Sequence, residues 1–311
     1  MSDDETVLVL TTYDPNSDSL NKIAWPESGP VDCRDWDANP KHGRGMPRGV
    51  GTYTLLDGIP GALGSLRWVV VRVKRDEIDD VKNRGHNHGF DTGVVVYSGL
   101  WKGAFTMLSA AYPEVFKANA VVDTPGSWGV AIVGDRGSAA APQCYGSAVA
   151  GNAGTALVGD RGVALVGDHG RALAGERGWA YACDHGVAVA LSEGRAEAGA
   201  GGWATVGGMG RATVGVGGTA KGSTCCRVVA GDRGTAEAEA YSHVVVGIRG
   251  RARVGKEGLI QVGWLDRDCR RRTVAGRPGL NGILADTWYE ARDGYLVPVE
   301  THPRVAPCQQ R

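Results

Sequence analysis

The chain has 311 residues, with 34 basic and 34 acidic side chains and seven cysteines. Zero net charge gives no overall attraction to nucleic acid or to an anionic membrane, and an odd cysteine count without regular spacing fits reduced thiols better than a disulfide framework. No apolar run approaches the ~20 residues of a bilayer-spanning helix, and the first residues do not resemble a signal peptide. We therefore expect a soluble protein, cytoplasmic or virion-associated.

Residues 1–125 are predicted to form a small α/β or α+β domain. Segments rich in β-branched and aromatic residues predict strands at 5–12, 51–56, 68–73 and 93–97. Residues 104–118 favour a helix, which Pro113 should break or start. The stretch from Asp14 to Met46, rich in Pro, Gly, Asp and Asn, predicts a long loop.

From Gly129 to Leu265 the chain is an octapeptide repeat. The frame reads Gly-x-Ala-x-Val/Ala-Gly-Asp-Arg, and seventeen octamers fit it with one inserted residue, Tyr145. Positions three and five point to one side of an extended segment and positions two and four to the other. Glycine and aspartate supply the turn, where glycine can adopt positive φ and aspartate can bond its own backbone. Short strands and turns at a fixed period predict a mainly β protein, a β-solenoid whose stacked coils bury the small residues over residues 126–265.

The residues at the turns indicate how many octamers make one coil. Arg161, His169, Arg177 and His185 alternate Arg and His, so like residues recur every 16 positions. This spacing favours a two-sided coil of two octamers, and about eight coils in all. Two tryptophans recur at 24 positions, which leaves a three-sided coil open. Open solenoid ends invite aggregation unless they are covered, and residues 266–311 are predicted to form a C-terminal cap and tail.

Outward-facing positions give two candidate surfaces. Apolar residues at position four form the first, and we expect it to be covered by a second copy of the chain in a homo-oligomer or by the N-terminal domain: Leu157, Leu165, Leu173, Tyr181 and Val189. Basic residues at position two form the second, here called the anion strip: Arg195, Arg211, Arg227 and His243. Stacked cations would repel one another without an anion, although Glu197 could relieve one of them. The strip therefore indicates an acidic protein or a polyanion as partner, and a solvated charged face is the competing interpretation.

No residues are predicted to be catalytic, cofactor-binding or metal-binding. A metal site of Cys33, His42, His86 and His88 lacks the tight ligand pair typical of zinc sites. The run Cys183-Asp184-His185 places thiol, carboxylate and imidazole together, but neighbours in one turn seldom provide catalytic geometry. Adjacent Cys225 and Cys226 favour a structural role. The basic cluster at Arg267 and residues 270–272 is interpreted as solvated, since zero net charge disfavours nucleic acid.

Two motifs carry a resemblance to a known family. Residues 35–46, Asp-Trp-Asp-Ala-Asn-Pro-Lys-His-Gly-Arg-Gly-Met, and the strand that begins Trp68-Val-Val-Val resemble a bacterial and phage family of unknown function. In that family a Trp-Asp-Pro stretch leads to Cys-Gly-x-Gly-Leu-His. His42 stands here where the family has Cys, and Pro47 where it has His. The closing segments at 286–289 and 293–297 resemble the ends of Gly-Ala repeat proteins that accompany such domains.

These features favour a non-enzymatic structural or interaction protein, in which a rigid solenoid displays or oligomerises an N-terminal recognition domain in a phage or bacterial setting. The alternative is an N-terminal enzyme domain with the solenoid as accessory scaffold. The Gly43-x-Gly45 turn followed by edge strands is similar to ADP-ribosyltransferase-like folds. That resemblance implies such an activity for residues 1–125.

Overall fold

The computed structural model describes residues 6–13, 25–32, 67–77, 79–80, 88–90, 92–99, 101–127 and 129–299. The chain divides into two compact units, Met1–Phe116 and Lys117–Arg311. The division lies before residue 121, where the solenoid begins.

In its described residues, the first unit contains a four-stranded antiparallel sheet, a two-stranded antiparallel sheet and one helix. In chain order its elements are β1 (Thr6–Tyr13), β2 (Gly29–Asp32), β3 (Arg67–Lys74), a 3-10 turn (Arg75–Glu77), β4 (Asp79–Asp80), β5 (His88–Gly89), β6 (Thr92–Gly99) and α1 (Trp101–Ala111). Four strands form the sheet in the order β1-β3-β6-β2, and all neighbours run antiparallel. Buried Val69, Val71, Val73 and Val95 pack with Phe90 in its core. Within its described residues, this unit is of the α+β kind.

Two expectations for the first unit need correction. Strand β2 lies inside the segment predicted to be a loop; Val31 is buried, and the proline beside it is tolerated because β2 is an edge strand. Helix α1 begins at Trp101 and ends at Ala111, earlier than predicted at both ends. The helix ends there because the residue before Pro113 is disfavoured in helical conformation. The strand predicted at 51–56 lies outside the described residues.

The second unit is a β-solenoid built from two parallel sheets. One sheet has ten strands: β8 (Val130–Ile132), β10 (Ser147–Ala150), β12 (Val163–Val166), β14 (Trp179–Ala182), β16 (Arg195–Ala198), β18 (Arg211–Val214), β20 (Arg227–Ala230), β22 (His243–Val246), β24 (Leu259–Leu265) and a closing β25 (Arg271–Gly276). The other has eleven: β7 (Val121–Asp123), β9 (Ser138–Ala141), β11 (Thr155–Val158), β13 (Arg171–Ala174), β15 (Val187–Ala190), β17 (Trp203–Val206), β19 (Thr219–Gly222), β21 (Thr235–Ala238), β23 (Arg251–Val254) and a closing hairpin of β26 (Tyr289–Arg292) and β27 (Tyr295–Pro298).

The strand register confirms the two-sided coil. Arg195 pairs with Arg211, sixteen residues on, and Trp203 pairs with Thr219, so successive octamers alternate between the two sheets. A three-sided coil, which would pair residues 24 apart, is therefore ruled out. Strands β7 to β24 make nine coils, one half-coil more than the repeat frame contains, because β7 precedes the first octamer. The inserted Tyr145 is absorbed in a turn, where the spacing becomes 17 residues between Ser138 and Thr155.

The interior contains the small residues of positions three and five. Ala188, Ala204 and Ala212 have no exposed surface, and larger Val228, Val244 and Ile260 occupy the same position towards the C-terminal end. Both walls of each coil come from one chain. An intertwined needle, in which different chains supply the walls, is therefore not the architecture of this unit.

The residue that adopts positive φ in each turn is not the one that the sequence predicts. From Arg136 to Glu257 the residue immediately before each new octamer has a left-handed conformation, with φ of 53° at Ala153 and 59° at Met209. The frame glycines Gly159 and Gly162 do not have positive φ; they are required for space. A Cβ on Gly162 would lie 2.7 Å from Val158 Cβ and 2.8 Å from the Gly146 carbonyl oxygen, and one on Gly159 would collide with the Pro142 carbonyl.

The turn aspartates bond across coils and not to their own turns. Asp135 Oδ1 accepts from the Asn152 backbone N–H at 2.7 Å, and Asp160 Oδ1 accepts from the Glu176 N–H at 2.9 Å. Asp184 Oδ1 repeats the bond further along the solenoid. In these coils a turn side chain thus provides an acceptor for the turn of the next coil, which satisfies backbone donors that stacked strands alone would leave open.

Two antiparallel additions cover the C-terminal strands. Strand β25 folds back on β24, and the β26–β27 hairpin pairs with β23. Buried Ile283 and Tyr289 extend the solenoid core, and the Tyr289 hydroxyl accepts a hydrogen bond from the Leu284 N–H. These elements occupy the part of the chain predicted to be a cap.

Candidate functional site

The outward residues of the two sheets form two flat faces. We call them the ten-strand face and the eleven-strand face after the sheets that carry them. Side chains at positions two and four of each octamer project from these faces, because positions three and five fill the core.

The predicted interface residues do not form one column. Leu165 and Tyr181 lie on the ten-strand face, whereas Leu157, Leu173 and Val189 lie on the eleven-strand face. Leu165 is only 5% exposed, while Leu157 and Leu173 are 40% and 36% exposed. The surface that remains apolar and accessible is therefore on the eleven-strand face, where Trp203 extends it with 50% exposure.

The anion strip stacks as one column on the ten-strand face. Arg195, Arg211, Arg227 and His243 are Cα partners from strand to strand, about 4.8 Å apart in a regular sheet. The two ends of the column have local partners. Arg195 lies over the Trp179 ring, 5.0 Å from its centroid, and His243 Nε2 is 2.9 Å from Gln261 Oε1.

The two middle arginines differ from the ends. Among the described residues, neither Arg211 nor Arg227 forms an ion pair with a carboxylate. Burial, followed by the proximity of Arg227, lowers the pKa of Arg211. Among the described residues, the strip thus contains two neighbouring guanidinium groups without a carboxylate ion pair.

Glu197 relieves the repulsion between these arginines only in part, because it raises the pKa of Arg211 by less than burial or Arg227 lowers it. Its side chain is 7% exposed and lies beside Arg211 and Arg195. Burial raises the pKa of the Glu197 carboxyl to about 8, and the two arginines lower it by less than burial raises it. The carboxyl is therefore mostly protonated and uncharged at neutral pH.

Three buried polar atoms without hydrogen-bond partners gather at this place. Within the described parts of the chain, buried and unpartnered side-chain atoms include Glu197 Oε1, Arg211 Nε and Thr213 Oγ1. Arg211 and Thr213 share strand β18 and face, and Thr213 is the Cα partner of Glu197. Unpartnered buried polar groups cost about 1–3 kcal/mol each and are rare, so a cluster of three indicates a position for a ligand.

On the eleven-strand face, by comparison, the outward charges around Glu237 are paired. Glu237 carries ion pairs to Lys221 at 2.6 Å and to Arg253 at 2.5 Å. Lys221 also lies over the Trp203 ring, and Arg253 over the Trp288 ring. Residues 16 apart therefore alternate in charge on the eleven-strand face, whereas on the described ten-strand face the same spacing places two arginines next to each other without a carboxylate ion pair.

The other described candidates form stacking contacts, thiols and ion pairs. His169 and His185 stack with ring centroids 5.1 Å apart, which confirms the 16-residue spacing, and Cys183 beside them is a buried thiol. Cys225 and Cys226 are thiols, and Cys226 is buried. Arg271 bonds Asp232 at 2.6 Å and Arg272 bonds Asp266 at 2.9 Å, so these two members of the basic cluster are paired.

The remaining predicted residues fall outside the described part. The residues outside the described part are Cys33, His42, His86 and the Gly43-x-Gly45 turn. His88 is described only as a strand position. In the described residues no three His, Cys, Asp or Glu side chains gather to hold a metal ion. Among the described residues, no helix has both the length and the apolar character needed to cross a membrane.

Sequence reasoning missed the roles of Thr213 and Trp288. The repeat frame places Thr213 at outward position four, and nothing in one octamer shows that its hydroxyl is buried beside Arg211. Comparisons of the chain with family models, curated proteins and solved structures give no match.

Proposed function

We propose that this chain is a structural or interaction protein in which the solenoid is a rigid scaffold for the N-terminal unit. The observation that carries the proposal is the unbroken register of parallel strands through nine coils, closed by antiparallel strands at the C-terminal end. Each coil is fixed by its neighbours through backbone ladders and turn bonds. Such stacking supports a role in presenting or spacing other parts, in a phage or bacterial setting, rather than one that requires large internal movement.

We further propose that copies of the chain associate through the eleven-strand face. Leu157, Leu173 and Val189 follow one another along it, and Trp203 continues the apolar surface. The nine parallel strands of this face, at about 4.8 Å spacing and each about 13 Å long, cover roughly 560 Å², so a two-fold dimer would bury about 1,100 Å² in total. This is the lower limit of specific interfaces and supports a dimer that dissociates on dilution.

Sedimentation of the full-length protein over a concentration series tests this association. The natural chain should approach twice its 32.5 kDa mass at high concentration. Replacing Leu157 and Leu173 together with Glu should leave a monomer with unchanged circular dichroism, because both side chains project from the face. A natural chain that stays monomeric at the highest concentration would refute the association.

The matched control replaces Leu165 with Glu. Leu165 lies on the other face and is already buried within one chain, so this substitution should destabilise the fold by burying a charge. Leu165 and Leu173 are thus unsuitable as one interface pair. If the Leu165→Glu protein stays folded and loses association while the Leu157/Leu173 variant keeps it, the eleven-strand face is not the interface.

A further inference from the structure

We infer that the ten-strand face contains a binding site for a tetrahedral oxyanion, a phosphate or sulfate group, between Arg211, Arg227 and Thr213. This site lies at the centre of the anion strip. The ends of the strip have local partners in Trp179 and Gln261, whereas the two central arginines lack carboxylate partners. It does not depend on association through the opposite face.

The donors at this place match an oxyanion. Arg211 and Arg227 leave adjacent strands about 4.8 Å apart, a separation that one tetrahedral group can bridge with two of its oxygens. Arg211 Nε and Thr213 Oγ1 are buried donors without acceptors. A bound anion would accept from both and would also offset the repulsion between the guanidinium groups.

Glu197 completes the site instead of opposing it. Its carboxyl lies on the strand before Arg211, is nine-tenths buried, and has one oxygen without a hydrogen-bond partner. A protonated carboxyl is a hydrogen-bond donor. The carboxyl can therefore donate to an anion, as the neighbouring hydroxyl of Thr213 can.

The size of the site argues for a single group and against a long polyanion. Only one pair of neighbouring arginines lacks local partners on the described ten-strand face, and Val229 and Val245 flank the column beyond Thr213. A phosphate or sulfate group, free or carried as an ester, fits the spacing and the donors.

Titration calorimetry of the full-length protein tests the site, with inorganic phosphate, inorganic sulfate, phenyl phosphate and acetate at constant ionic strength in chloride. We expect phosphate and sulfate to bind and acetate to bind at least tenfold more weakly, because a carboxylate offers fewer acceptor oxygens. Tighter binding of phenyl phosphate than of phosphate would identify an ester as the ligand, and weaker binding would identify the free anion.

Substitutions separate this site from general charge attraction. Arg211→Gln and Arg227→Gln should each weaken phosphate binding about tenfold or more, and Thr213→Val should weaken it severalfold. Arg171→Gln removes the same charge from an exposed position on the eleven-strand face and should leave binding unchanged. Unfolding temperatures would show that the variants are folded. Absence of phosphate and sulfate binding to the natural chain, or equal weakening by Arg171→Gln, would overturn the proposal.

Discussion

Glu197 and Arg211 are diagonal neighbours on adjacent strands of one face, yet Glu197 Oε1 and Arg211 Nε both lack hydrogen-bond partners. An acid beside a guanidinium ordinarily has a lowered pKa, whereas burial raises the pKa of Glu197 to about 8 despite Arg211 and Arg195. The free-energy cost of desolvating the carboxylate is therefore larger than the stabilisation that the two cations provide. The pair consists of one charged and one neutral partner at pH 7.

This relationship predicts how stability depends on pH. The folded pKa of Glu197 lies above its unfolded value of 4.5, so the folded state holds its proton more tightly. The stabilisation is fully present below pH 4.5 and is lost as the pH rises towards 8. Glu197→Gln, which stays neutral, should match the natural chain near pH 5 and exceed it at pH 9 by on the order of 3–5 kcal/mol. Denaturant unfolding at the two pH values measures the difference, and a constant difference would contradict a raised pKa.

A second prediction concerns the left-handed turn residues. Ala153 has φ of 53°, a conformation that costs a residue with a Cβ about 1 kcal/mol. Ala153→Gly should therefore raise the free energy of unfolding by up to about 1 kcal/mol, although glycine also loosens the unfolded chain. Gly162→Ala should destabilise by more than that, because its Cβ would collide with Val158 and with the preceding coil. Thermal unfolding of both variants checks the assignment, which fails if both shifts have the same sign.

Neighbouring residues on one strand test the packing of the core. Ala204 has no exposed surface, while Thr205 points outward. Ala204→Leu should cost on the order of 1–3 kcal/mol or more, because the added methylene groups have no space between the sheets. Thr205→Ser should change stability by less than about 0.5 kcal/mol. Similar shifts in unfolding temperature would mean that the inward assignment is reversed.

The charge ladder of the eleven-strand face provides a fourth prediction. Burial alone would raise the pKa of Glu237, but its ion pairs with Lys221 and Arg253 hold the pKa below its usual value. Glu237→Gln leaves those two cations without their shared acid and should destabilise the chain by about 1–2 kcal/mol at low ionic strength. The loss should shrink in 1 M salt, where charges are screened. Glu193→Gln, at an exposed turn pair with Arg177, is the control and should cost less. A cost that salt does not change would assign the effect to packing.

The natural chain should also lose this contribution in acid. A lowered pKa at Glu237 means that its stabilisation is present above the unfolded value of 4.5 and is lost as the pH falls through the folded value. The difference between the natural chain and Glu237→Gln should therefore narrow below pH 4. Chemical denaturation between pH 3 and pH 7 measures this change, and a difference that stays constant to pH 3 would contradict the lowered pKa.

Much of the solenoid followed from the octamer itself. Alternation at Ala204-Thr205-Val206 indicated which side chains are buried, because a strand turns successive residues to opposite sides. The recurrence of His169 and His185 indicated two octamers per coil, and the strand register confirms it. These properties depend on the local sequence and recur in every octamer, so many copies of the same weak pattern predict the same structure.

Other properties were decided by the tertiary structure. The sequence placed Leu165 and Leu173 in one apolar series, but successive octamers lie on opposite sheets, so only stacking shows which residues share a face. It assigned positive φ to glycine, whereas the coil below occupies the space of a Cβ and fixes glycine for steric reasons. The protonated state of Glu197 and the buried hydroxyl of Thr213 depend on the surroundings of their strands, because desolvation is set by every group that excludes water and not by the residue type. The sequence by itself thus determined the repeat, its strands and its core, and the tertiary structure decided which outward residues meet and with what charge.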